Sequence, residues 1–165
     1  MKEPDLESLE VISPLGSRLI KNKMSIVEFS RVTELNWDCL SGPEGHIENP
    51  DWLKIEDRIK ALNALEHSCV FISANNGTSL TIGGNPKQGF IVFFSQDDKH
   101  SYVMAPVGSR AGTQNLVIGF QPGDYSCRIL VSLATAIQVA RTYFFKAERD
   151  ECFEWTYDDQ SIDIE

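Results

Sequence analysis

What this sequence lacks among its reactive side chains is pairing. Its four cysteines, Cys39, Cys69, Cys127 and Cys152, stand far apart with no Cys-x-x-Cys. The histidines His46, His67 and His100 form no ligand-spaced pair, so neither a zinc site nor a thioredoxin-type redox motif is expected. The cysteines read as reduced and buried, the histidines as surface residues. No Gly-x-Ser-x-Gly elbow occurs, and no His-x-Glu with Pro-Cys-x-x-Cys deaminase signature. Gly83-Gly84 lacks the Gly-Lys-Ser/Thr of a phosphate loop and is followed by strand-type sequence, which supplies no helix N-terminus for an anion. No cofactor and no metal are expected, and the chain does not read as an enzyme.

Long apolar runs are missing too, since none approaches the ~18 to 20 residues that span a bilayer. Met1 to Glu10 carries acids and no apolar core, so no secretory signal and no membrane partner are expected, and the protein is placed in the cytoplasm. Positive charge is scarce: 15 Lys and Arg face 24 Asp and Glu, a net charge of −9. Nucleic-acid affinity comes mostly from cations that neutralise phosphates, so direct binding to nucleic acid is not expected. An acidic surface suits a basic partner, although it also serves plain solubility.

What is present describes an ordinary globular chain, 42% hydrophobic and 24% charged over 165 residues, enough for one core. Residues 1–23, with Pro4, Pro14 and Gly16 among mixed charges, read as a partly ordered extension, and 24–165 as a single domain. Residues 24–40 fit both a strand and a helix. Ser41 to Gly45 reads as a loop, and Asn49-Pro50-Asp51 as the start of a helix, with Asn49 capping and Pro50 in the first turn. Trp52, Ile55, Ile59 and Leu62 continue it on one face, to about Glu66 or His67.

The period then changes. Val70 to Ala74 and Leu80 to Ile82 flank Asn75-Asn76-Gly77, a hairpin signal. Gly83 to Pro86 reads as a second turn, and Phe90 to Phe94, apolar on both sides, as a central strand. Gln96 to Lys99 turn it back into Tyr102 to Met104. A loop from Val107 to Gln114 leads to a strand at Leu116 to Phe120, closed by Pro122, Gly123 and Asp124. From Arg128 to Phe144, apolar residues at steps of three and four predict the main helix, with Ser126 as a candidate start, and Cys152 to Tyr157 reads as a last strand. The expected fold is α+β: a largely antiparallel sheet of about five to six strands with two main helices on one face.

Three groupings suggest partner binding. Glu154, Asp158 and Asp159 place acids beside Trp155 and Tyr157, and Asp124 with Tyr125 repeats the pairing on a smaller scale; Asp97 and Asp98 add acids at a turn. The alternative for Phe153, Trp155 and Tyr157 is a core role on one side of the strand, with only the acids outside. The turn acids in turn have an ordinary role in solubility and turn formation.

The run Ser79 to Phe94 (SLTIGGNPKQGFIVFF), the polar turn and strand to Met104, the strand Leu116 to Phe120, and the apolar helix followed by Phe153-Glu154-Trp155 together resemble the Imm1 family of bacterial immunity proteins, found in polymorphic-toxin and contact-dependent antagonism systems. The likeness runs roughly from Leu62 to Tyr157; residues 1–23 have no counterpart, and Pro122 stands earlier than the family's proline. It implies a non-enzymatic protein, monomeric until it binds and neutralises a cognate toxin, often a nucleic-acid deaminase or nuclease. It carries over no functional residues. Two other readings stand beside it: a small acidic secretion chaperone, usually dimeric, and an enzyme whose site is dispersed.

Overall fold

The apolar run from Phe90 to Phe94 sets the layering of the molecule, because both of its faces are covered. The computed structural model describes residues 30–106, 108 and 111–157. In chain order its elements are β1 (Val32–Trp37), β2 (Gly45–Glu48), α1 (Trp52–Lys60), β3 (Cys69–Ala74), β4 (Ser79–Asn85), β5 (Gly89–Ser95), β6 (Ser101–Met104), β7 (Thr113–Ile118), β8 (Gln121–Ser126), a single 3-10 turn (Cys127–Ile129), α2 (Leu133–Lys146) and β9 (Trp155–Tyr157). The fold is α+β as expected, but its main sheet is larger. Seven strands are ordered β2-β1-β3-β4-β5-β6-β9, and β7 with β8 makes a separate two-stranded sheet.

Every pairing is antiparallel, so residues directly opposite share a face. Val70 and Ile72 of β3, Leu80 and Ile82 of β4, and Phe90, Val92 and Phe94 of β5 point to the helices, where they meet Ile55 and Ile59 of α1 and Ala136, Val139, Ala140 and Tyr143 of α2. On the other face Ile91 and Val103 pack with Leu116 and Ile129, joined by Phe93, Ile118 and Tyr125. The β7–β8 hairpin is therefore a lid over part of the second face. Phe153 and Trp155 pack against the helix-side core, with the indole N–H of Trp155 donating to the Asp150 carbonyl at 3.0 Å.

Several boundaries differ from the sequence reading, each for a local reason. The cap of α1 is Asp51, whose carboxylate accepts from the Lys54 N–H at 2.9 Å. Asn49 instead takes a left-handed turn at φ 46° and donates its N–H to Thr33, ending β2, and the helix stops at Lys60. Gly83 and Gly84 are strand, not turn. A Cβ on Gly83 would come within 2.6 Å of Ile118, and one on Gly84 would overlap the Gly89 carbonyl, so the glycines admit close neighbours. Pro122, Gly123 and Asp124 do not close a strand; they lie inside β8, which returns from a two-residue turn with Gly119 at φ 59° and Phe120 at φ 58°. A proline is tolerated there because this is an edge strand.

The main helix, α2, begins at Leu133 rather than Arg128. Ser132 caps it by accepting from Thr135, whereas Ser126 accepts from Arg128 and caps only the 3-10 turn. Between them Val131 leaves the helical path to exchange backbone hydrogen bonds with Phe90 at 2.8 and 3.0 Å. At the far end of α2 the Asn76 turn closes the structure. Thr78 Oγ1 donates to the Ala147 carbonyl at 3.1 Å, and the Tyr143 hydroxyl donates to the Thr78 carbonyl at 2.8 Å. The expected extension over residues 1–23 lies outside the described residues.

Candidate interaction surface

Two rows of the sheet's second face run out from under the hairpin lid. In register across the strands, one row is His46, Asn36, Phe71, Thr81, Phe93, Val103 and Thr156, and the next is Glu48, Glu34, Ser73, Ser79, Ser95 and Ser101. Val103 is buried and Phe93 half-buried at the lid's margin, but Phe71 is 43% exposed. Glu34 and Glu48 are exposed and directly opposite each other on β1 and β2. Like charges so placed repel, and among the described residues neither forms an ion pair. Asn36 and His46, the next pair along, are joined at 2.7 Å. The result is a hydroxyl-rich face with one exposed aromatic ring and an acidic corner at the sheet's edge.

The residues singled out from sequence do not form one site. Asp97 and Asp98 are exposed in the β5–β6 turn, at the end of the serine row. Asp97 is engaged locally: it accepts from the N–H groups of Lys99 and His100 and pairs with the His100 ring at 2.8 Å. The His100 ring, followed by these backbone donors, holds its carboxyl below the ordinary value. Glu154 is exposed just before β9, where its carbonyl accepts from Ala105; this lies at the other end of β6, away from Asp97. Asp124 and Tyr125 point to opposite sides of the hairpin. Asp124 faces outward and accepts from Asn115 at 3.0 Å, while Tyr125 packs inward on the second core. Asp158 and Asp159 lie outside the described residues.

Sequence reading passed over Glu34, Asn36, Glu48 and Phe71. The signal was the alternation in VTELNW, polar at positions 34 and 36, and the exposed phase of Phe71 between Val70 and Ile72. Both become legible only once the face is known to lack a complete cover.

A second cluster looks chemical but is structural. The buried Asp38 carboxylate accepts from the N–H groups of Ser68 and Cys69 at 2.7 and 3.0 Å and from the Ser68 hydroxyl. The same hydroxyl accepts from the Phe120 N–H at 3.0 Å, tying the hairpin tip to the sheet. Burial, and then the Asp38 charge, push the Cys69 thiol up to about 12, so it stays protonated and is no nucleophile. Of the cysteines only Cys69 is buried; Cys152 is exposed, and Cys39 and Cys127 are intermediate. Asp150 is a smaller version. Burial alone would raise its carboxyl, but donation from the Thr142 hydroxyl at 2.7 Å and the Cys152 N–H hold it below the ordinary value.

Among the described residues no group of three or more His, Cys, Asp and Glu is placed to hold a metal ion. No described helix is long and apolar enough to cross a membrane. No family model matches the chain, and no curated protein matches it.

Proposed function

We propose that the protein is an immunity protein: a cytoplasmic, non-enzymatic binder that neutralises a cognate antibacterial toxin by a tight one-to-one complex and is monomeric until the toxin arrives. The toxin domain is basic and acts on nucleic acid, as a deaminase or a nuclease. The observation that carries this reading is the half-covered sheet face, where an exposed Phe71 stands beside the unneutralised pair Glu34 and Glu48. Interfaces gather their affinity on buried aromatic anchors and their association rate on matched charge, and this face offers both. A toxin that binds nucleic acid presents the complementary basic cleft. The net charge of −9 extends the attraction over the whole surface.

The test is co-expression with the toxin-like domain encoded in the adjacent reading frame. A stoichiometric complex and survival of the host are expected, and the free chain should run as a monomer by light scattering. Absence of both complex and protection overturns the reading. A stable dimer that instead captures an unfolded effector segment would favour the secretion chaperone.

A further inference from the structure

We infer that the uncovered part of the sheet, centred on Phe71 and walled by Glu34 and Glu48, docks an arginine-bearing segment of a basic protein partner. This deepens the immunity reading and rests on it for the partner's identity, but its chemistry stands on this face alone. Asn36 is directly opposite Phe71 and Glu34 directly opposite Ser73, which puts Glu34 on the diagonal from the Phe71 ring. Diagonal neighbours on one face of an antiparallel pair are roughly 7–8 Å apart, within reach of one long side chain. Glu48 extends the carboxylate pair outward to the edge strand. A single guanidinium laid over the ring can therefore meet a π-face and a carboxylate together.

Arginine fits this better than lysine, because its planar cation both stacks on aromatic rings and bonds a carboxylate in two-pronged fashion. The chain makes the stacking half of this contact internally. The guanidinium of Arg58 lies 3.9 Å from the centre of the Trp37 ring, and that of Arg149 lies 4.2 Å from Tyr102. Among the described residues Phe71 has no such cation and no aromatic partner, although it is exposed at 43%. Glu34 and Glu48 stand directly opposite each other, so a bound guanidinium meets paired carboxylates rather than one. The rows of Ser73, Ser79 and Thr81 beside Phe71 give the partner's backbone or polar side chains hydroxyl partners rather than an apolar wall.

The test titrates a hexa-arginine peptide into the full-length isotope-labelled chain and follows backbone amide shifts at about 150 mM salt, where long-range attraction is screened. Saturable shifts are expected at Asn36, Phe71, Ser73 and Thr81, with hexa-lysine several-fold weaker. Phe71→Ser should weaken binding about tenfold, and Phe71→Leu, which keeps apolar volume without a ring, nearly as much. Glu34→Lys should weaken it at least as strongly, whereas Asp124→Lys, the same charge change on the outer side of the hairpin, should change it less than twofold. Equal losses from Glu34→Lys and Asp124→Lys, or shifts centred on Asp97 and Asp98, overturn the inference. So does a chain that self-associates and becomes monomeric on Phe71→Ser, which would make a second copy the occupant. The titration needs no toxin, so its failure and the failure of the protection assay are separate results.

Discussion

Asp38 is buried at the end of β1, and the start of β3 supplies its carboxylate with two backbone N–H donors and a hydroxyl. A buried carboxylate satisfied in this way rigidifies its surroundings, because every donor that would otherwise be stranded has a partner. The same cluster silences Cys69, whose thiol, pushed up to about 12, remains protonated throughout the range in which free thiols react. With Ellman's reagent at pH 8, Cys152 should react first despite the nearby Asp150 raising its thiol, and Cys69 only after unfolding in guanidinium. Native reactivity of Cys69 at the rate of Cys152 would contradict the burial described. No sequence pattern marks Asp38 for this role, since Asp38 and Ser68 lie 30 residues apart and meet only through strand pairing.

At the scale of elements, the glycines separate two kinds of constraint. Gly77 is at φ 83° with open space around it, so Gly77→Ala meets only the left-handed backbone cost, about 1 kcal/mol. Gly84 combines φ 122° with the backbone of Gly89 where a Cβ would stand. Neither can give way without opening the β4–β5 ladder, so Gly84→Ala should cost about 3 kcal/mol or more by urea denaturation. Similar midpoints for the two variants would show that β4 has room to shift. The Asn76-Gly77 turn was legible from its dipeptide, whereas Gly83-Gly84 read as a turn because glycine's tolerance of close packing and of turns leaves the same letter. Likewise β8 was hidden: Pro122 and Gly123 are turn residues in most settings, and only an edge strand on a detached hairpin accommodates them.

For the whole molecule, the charge imbalance acts at long range. A net charge of −9 predicts that association with the basic partner proposed above is fast at low salt and slows as salt rises. Reversing Asp97 and Asp98 together, in stopped-flow mixing at two salt concentrations, should lower the association rate several-fold while leaving dissociation nearly unchanged, because these exposed turn acids steer without being buried. An unchanged association rate would remove the turn from the encounter surface.

Local patterning determined much of this protein: the α+β class, the central β5, the one-sided faces of α1 and α2, and the Asn-Gly hairpin. These follow from periods of two and 3.6 and from turn chemistry, which act between near neighbours in the chain. Tertiary structure alone decided that β7 and β8 leave the main sheet to cover part of its second face, and hence that Phe71 and the Glu34–Glu48 pair stay open while Asp124 and Tyr125 part company. Exposure is a property of what lies across from a residue. For this face the answer comes from strands distant in sequence, which no local pattern encodes.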